Sequence, residues 1–438
     1  MRLYRAITRS RLDYGSIVYG SARPSYLKCL NTVYYQDLRL SLGAFRTSPV
    51  ESLYVLAREP SLTLRRIKLS MQYIVKLAAC PSNPAYQMVF RPQLTHFYES
   101  RPNTIQPLGL RMKLYLDSAK IDTSMIAEIE TSPIPIWIFK NPFVDMELTK
   151  YKKSETNPLD YQERFNNIKN KYPTHKFLYT DGSKDGSRTA YAVTSQHRNY
   201  CNERIPDESS IYSAELMAIY MATKIAIESD HNKHVICSDS KSALQAIENK
   251  HVQNPLVLDI FMVLHMSKRH EEIIYCWVPS HVDIEGNEKA DLYAKKALQF
   301  DITDYCIPYT DFRPIINDFI LSCWQLQWNA CENNRLRQIM SNIRYNPYFQ
   351  TNSRRDQIVL HRCLIGHSRL THVHLLLNKS APICERCQSP LTVKHILIEC
   401  NNLQRQPFQV TSLKQLLTNT PLELLFGYLH NCGLYYEL

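Results

Sequence analysis

The chain has 438 residues, 44% of them hydrophobic, which is ample material for several cores and excludes wholesale disorder. Its 10 glycines are too few for collagen-like or glycine-loop repeat architectures. The net charge of +11 is uneven: residues 1–150 carry 20 Lys+Arg against 11 Asp+Glu (+9), residues 172–299 carry 14 against 17 (−3), and residues 300–438 carry 13 against 10 (+3). An acidic middle between basic flanks fits a carboxylate-rich site between polyanion-binding segments, although imbalances of this size also arise from solubility alone.

In chain order, the N-terminus MRLYRAITRSRLDYG is charged throughout and has no apolar run of the kind a secretory signal needs. No stretch approaches the ~20 apolar residues of a membrane helix. The expectation is an intracellular protein, nuclear or cytoplasmic, not secreted and with no membrane partner. The 13 cysteines are odd in number and spread over the chain, so a disulfide framework is not expected.

Residues 1–80 read as helical: LRLSLGAFR and LTLRRIKLSMQYIVKLAA place apolar residues at helical spacing with Arg and Lys opposite. Residues 81–171 read as a connector, loop-rich over 81–135 where prolines cluster, with a polar, Lys-rich helix over 148–171. From Lys176 the pattern changes. KFLYTDGS is a strand ending in a turn, and TAYAV and NYCNERI are the next two. SIYSAELMAIYMATKIAIE is a long amphipathic helix, HVICSDS a strand, KSALQAIEN a helix, EEIIYCWVPS a strand and GNEKADLYAKKAL a final helix. The spacing predicts an α/β fold over 172–300, with a mixed five-stranded sheet and flanking helices. Residues 301–438 read as a helical tail carrying a Cys/His cluster.

Four carboxylates stand out by position. Asp181 and Asp239 are placed at carboxyl ends of strands, where α/β sheets hold ligands. Glu215 lies in the apolar stripe of its helix, beside Ile211, Tyr212, Leu216 and Ile219, where an unpaired carboxylate is costly. Asp291 sits early in the last helix. Each alone has a plain explanation, since Asp-Gly makes turns and Ser-Asp-Ser caps helices. Together, four converging carboxylates call for hard divalent cations.

YTDGS at 179–183, SAELMAI at 213–219, SDSKSAL at 238–244 and PSHVDIEGNEKADLYAKKA at 279–297 resemble the four signature blocks of ribonuclease H. The resemblance covers about 176–299. It implies that Asp181, Glu215, Asp239 and Asp291 ligate two Mg²⁺ ions, with Mn²⁺ as a substitute, and that His281 assists proton transfer or product release. It implies an endoribonuclease that hydrolyses the RNA strand of RNA–DNA hybrids, leaving a 5′ phosphate and a 3′ hydroxyl. Gly182, Ser183 and Asn287 are its candidate substrate contacts. The segment NKHVQNPLVLDIFMVLHMSKRHEE is only moderately basic, so hybrid affinity is expected to depend on the flanking regions.

Cys384, Cys387, His395 and Cys400 form C-x₂-C-x₇-H-x₄-C, a set suited to structural Zn²⁺. His361, Cys363, His367, His372 and His374 lie just upstream as alternative ligands, although a solvated or nucleic-acid-facing helix accounts for them more simply. The tail, about 310–401, resembles the zinc-knuckle-like region after ribonuclease H in some non-long-terminal-repeat retrotransposon polyproteins. LYRAITRSRLDYGSIVYGSARPSYLKCLNTV and LGAFRTSPVESLYVLAREPSL resemble the thumb-like region after the reverse-transcriptase palm of such Jockey-like elements. No aromatic-x-Asp-Asp polymerase motif occurs, so polymerisation is not expected. Two further readings remain at this stage: a catalytically inert remnant that binds RNA or DNA, and a metal-free structural adaptor. Glu215 on an apolar face argues against the adaptor.

Overall fold

A computed structural model describes residues 1–438 apart from 94, 102, 130–133, 268–271, 345–350, 352, 386, 401–409 and 411. The chain divides into two compact units, Met71–Ile316 and a second formed by Met1–Ser70 together with Asn317–Leu438. Among the described residues, no helix is long and apolar enough to cross a membrane.

The Met71–Ile316 unit is built on a mixed six-stranded sheet. Its strands are β1 (Phe143–Asp145), β2 (Lys176–Asp185), β3 (Arg188–Thr194), β4 (Asn199–Ile205), β5 (Lys233–Ser238) and β6 (Glu272–Trp277), in the order β1-β6-β5-β2-β3-β4. β2, β3 and β4 are antiparallel neighbours, while β2, β5, β6 and β1 run parallel. The central strands are apolar on both faces because helices cover both. Alternation sends Leu178, Ile236 and Tyr275 to one face, with Leu216, Ile219 and Phe261. It sends Tyr179, Val235, Cys237, Ile274 and Cys276 to the other, with Tyr161, Phe165 and Ala290.

The five expected strands and three expected helices of this region are present, at Ile211–Glu228, Lys241–Glu248 and Glu285–Ala297. Three features differ from the sequence reading. First, β1 adds a sixth strand from the connector. Its Asp145 is buried and bonded by Lys171 Nζ (2.9 Å) and Tyr172 Oη (3.1 Å), partners that the three-residue run FVD does not reveal. Second, β2 does not turn after Ser183 but pairs with β3 as far as Asp185↔Arg188. Asp181 is therefore inside a strand rather than at its end. Third, Pro255–Met266 is a helix with Leu256, Val257, Leu258, Ile260 and Phe261 buried. The connector, too, is more helical than its prolines suggest. Pro84 and Pro107 stand just ahead of the helices Ala85–Phe90 and Leu108–Ser118, where a missing N–H is harmless.

The second unit joins N-terminal and C-terminal helices around one core. Tyr4, Tyr34, Leu38, Leu42, Leu53, Ala57 and Leu62 pack with Ile365. The helix Pro24–Leu42 ends on Gly43 in the left-handed conformation (φ 66°). Past that end, His361 Nδ1 bonds the Leu42 carbonyl (2.8 Å), Arg362 Nε donates to the Gly43 carbonyl (3.0 Å), and Thr47 Oγ1 bonds His367 Nδ1 (2.9 Å). The helix Arg354–Ile365 thus packs one face into this unit, with Val359, Leu360 and Cys363 buried. Glu59 is buried and receives Arg5 Nε (2.7 Å) and Arg9 Nη1 (3.0 Å).

Candidate active site

The parallel ladder between β2 and β5 ends at Thr180↔Ser238. Asp181 follows on β2, still paired with β3 (Asp181↔Ala192), and Asp239 directly follows β5, so the two carboxylates meet where the β2–β5 ladder ends. The Trp277 indole N–H holds the Asp239 backbone by donating to its carbonyl (3.0 Å). Glu215 enters from the helix Ile211–Glu228, whose start is fixed by Ser210: its hydroxyl accepts the Ser213 N–H (3.1 Å). Glu215 can approach β2 because residue 182 is glycine, with no side chain between helix and strand.

Oxygens of Asp181, Glu215 and Asp239 lie within 4.8 Å of one another. Asp181 and Glu215 are buried and Asp239 is half-buried. Burial, then the charges of Asp239 and Asp291, pushes the Asp181 carboxyl up to about 8. Burial, then Asp181 and Asp239, raises Glu215 well above the ordinary carboxylate range. Burial raises Asp239, with His281 opposing and Asp291 reinforcing the shift. Three carboxylates this close do not all ionise without a cation among them.

Asp291 comes from the helix Glu285–Ala297 and lies in a second group, within 4.8 Å of His281 and Glu288. Lys295, one turn on, donates to Asp291 Oδ2 (2.7 Å). His281 is 65% exposed, with Nδ1 3.9 Å from Glu288 Oε2. All five residues singled out as catalytic thus reach one region, in two subsets rather than one cluster. Glu288 was not singled out. Its signal is the spacing N-E-K-A-D, three residues ahead of Asp291 on the same helix face. Of the candidate substrate contacts, Gly182 and Ser183 are half-buried on β2, whereas Asn287 is buried with its Oδ1 unpartnered.

The donor set fits a hard divalent cation. It is all carboxylate at the buried end, and Glu215 Oε2 is buried without a hydrogen-bond partner, as is Glu288 Oε1 at the other end. A different chemistry appears in the other unit. Ligand atoms of Cys384, Cys387, His395 and Cys400 lie within 4.8 Å of one another. The Cys400 Sγ is 4.0 Å from that of Cys384 and 3.8 Å from that of Cys387. Zn–S bonds of ~2.3 Å in a tetrahedron set sulfurs about 3.8 Å apart. His395 is buried and its Nε2 has no hydrogen-bond partner. His361 and His367, the upstream alternatives, are engaged with Leu42 and Thr47.

The domain is α/β, and its mixed sheet gathers acidic side chains where two parallel strands part, near a helix-borne Asp. Residues 173–299 match the RNase H family. The match supports a ribonuclease H domain over these residues.

Proposed function

We propose that this domain is a metal-dependent endoribonuclease that hydrolyses the RNA strand of RNA–DNA hybrids. The observation that carries the reading is the convergence of Asp181, Glu215 and Asp239 within 4.8 Å, with Glu215 Oε2 buried and unpartnered. In this reading Asp181, Glu215, Asp239 and Asp291 hold Mg²⁺, or Mn²⁺ in its place. When bound, two such ions supply Lewis-acid activation of water and neutralise charge at the phosphate.

The chain's own groups do the rest. Asp181 and Glu215 form the dry floor of the site, and Asp239 and Asp291 flank its open side. His281 stands exposed at the rim, where an imidazole exchanges a proton with a leaving oxygen or helps product depart. Glu288 Oε2, 3.9 Å from that ring, forms an ion pair with it once the imidazole is protonated. Ser183, and the backbone at Gly182, line the β2 side, from which RNA is selected by its 2′-hydroxyls and helix form rather than by base identity. Asn287 lies beneath, one turn ahead of Asp291, and contacts substrate only if its side chain turns outward.

We propose further that Cys384, Cys387, His395 and Cys400 hold a structural Zn²⁺, with every position of a tetrahedron supplied by protein. The flanking segments are read as parts of a retrotransposon polyprotein, supported by the N-terminal and tail sequence blocks. The test is cleavage of a labelled hybrid by the full chain, with Mg²⁺ or EDTA, beside Asp181→Asn and Glu215→Gln. Metal-dependent cutting lost in both variants supports the reading. Salt-dependent binding without cutting by the unaltered chain replaces it with the inert nucleic-acid-binding remnant.

A further inference from the structure

The loop between β6 and the helix Glu285–Ala297 carries His281 in an unusual backbone. His281 (φ 52°) and Asp283 (φ 60°) both occupy the left-handed region, which a β-carbon disfavours. Among the described residues, no backbone–backbone hydrogen bond involves residues 280–283. Such a conformation persists only where surrounding groups over-determine it.

Those groups come from outside the matched segment. Lys153 Nζ donates to Ser280 Oγ (3.3 Å), and the Gln162 side-chain amide donates to the Val282 carbonyl (3.1 Å). The two anchors therefore stand on either side of His281. Their base is firm. Tyr161 is buried and its hydroxyl donates to the Tyr151 carbonyl (2.7 Å), while the Arg164 guanidinium lies 3.7 Å over the Tyr151 ring. Tyr161 and Phe165 share a core with Val278, Val282 and Ile284.

We propose that Lys153 and Gln162 are positioning residues of the nuclease site, clamping the His281 loop at Ser280 and Val282. This rests on the hybrid-cleavage reading above. The connector is then part of the working site, and the family domain alone lacks the clamp.

The experiment uses the full chain with Lys153→Ala, Gln162→Ala, both together, and Lys153→Arg. Two readouts are taken: steady-state hybrid cleavage, and hydrogen exchange of the peptide spanning 279–284 in metal-free, substrate-free protein. The double variant is expected to lose about tenfold in kcat, less than the 10²–10⁴-fold that removing an acid–base group costs, with KM for the hybrid changed less than about twofold. Exchange over 279–284 rises at an unchanged thermal midpoint, and Lys153→Arg retains both properties. Unchanged kcat and exchange in the double variant overturn the clamp. So does a raised KM at constant kcat, which would make Lys153 a phosphate contact instead. If the unaltered chain does not cut hybrid, the hybrid reading fails, and exchange alone then decides the clamp.

Discussion

Gly182 lies directly against the amide of Glu215: a β-carbon on residue 182 would come 2.8 Å from the Glu215 nitrogen and 3.0 Å from the Ala214 β-carbon. The obstacle is backbone, which cannot swing aside. Gly182→Ala is therefore expected to push the helix Ile211–Glu228 off β2 and lift Glu215 from Asp181. A stability loss of about 1–3 kcal/mol and a kcat loss of about 10- to 100-fold should appear together. Unaltered cleavage by Gly182→Ala contradicts the placement of Glu215 in the site.

The raised carboxyls make metal-free stability depend on pH. Folded Asp181, at about 8, holds its proton more tightly than the unfolded side chain at ~3.9. The folded state thus binds more protons across that window, and stability falls as pH rises from about 4 to about 8. In EDTA the thermal midpoint should decline from pH 5 to pH 8, and Mg²⁺ should flatten the decline. Asp181→Asn removes one repelling charge. It is expected to stabilise the EDTA-treated chain at pH 8 by about 1–3 kcal/mol, even as it abolishes cleavage. A lower midpoint for Asp181→Asn under those conditions defeats the argument.

If Asp291 holds a metal as proposed, Lys295 competes with that metal for the carboxylate. Its ammonium is 2.7 Å from Oδ2, and its side chain is 56% exposed, so the pair adds little to stability. Lys295→Ala should lower the Mg²⁺ concentration needed for half-maximal cleavage by about two- to fivefold, a differential of ~1 kcal/mol or less. A rise in that concentration would show Lys295 to be a helper rather than a competitor.

The cysteine site predicts one Zn²⁺ per chain by elemental analysis. Cys387→Ser or chelation should cost more than about 2 kcal/mol in the tail's unit and leave the ribonuclease H sheet folded. Full stability after exhaustive chelation, with no metal found, rules the site out.

Much of the central sheet was legible because its signals are local. Alternation in KFLYT and HVICS, and the capped helix at Ser210, identify elements from a few consecutive residues. The signature blocks then drew attention to Asp181, Glu215, Asp239, His281 and Asp291. What escaped depends on partners distant in sequence. β1 is three residues long and exists by pairing with β6 (Val144↔Tyr275). β2 runs past Asp181 because β3 continues the ladder to Arg188. The partners of His361 and His367, the Leu42 carbonyl and Thr47, lie over 300 residues away in sequence, so their packed setting is not legible locally. Glu288 and Lys153 carry ordinary surface residue types, and only the positions of Asp291 and Ser280 give them a role.

The most direct measurement follows each strand of one RNA–DNA hybrid separately, labelled at either end and incubated with the full chain in Mg²⁺. The account predicts cuts in the RNA strand alone, leaving 5′ phosphate and 3′ hydroxyl ends, stopped by EDTA and by Glu215→Gln. Equal cutting of both strands, or cutting that survives Glu215→Gln, would contradict it.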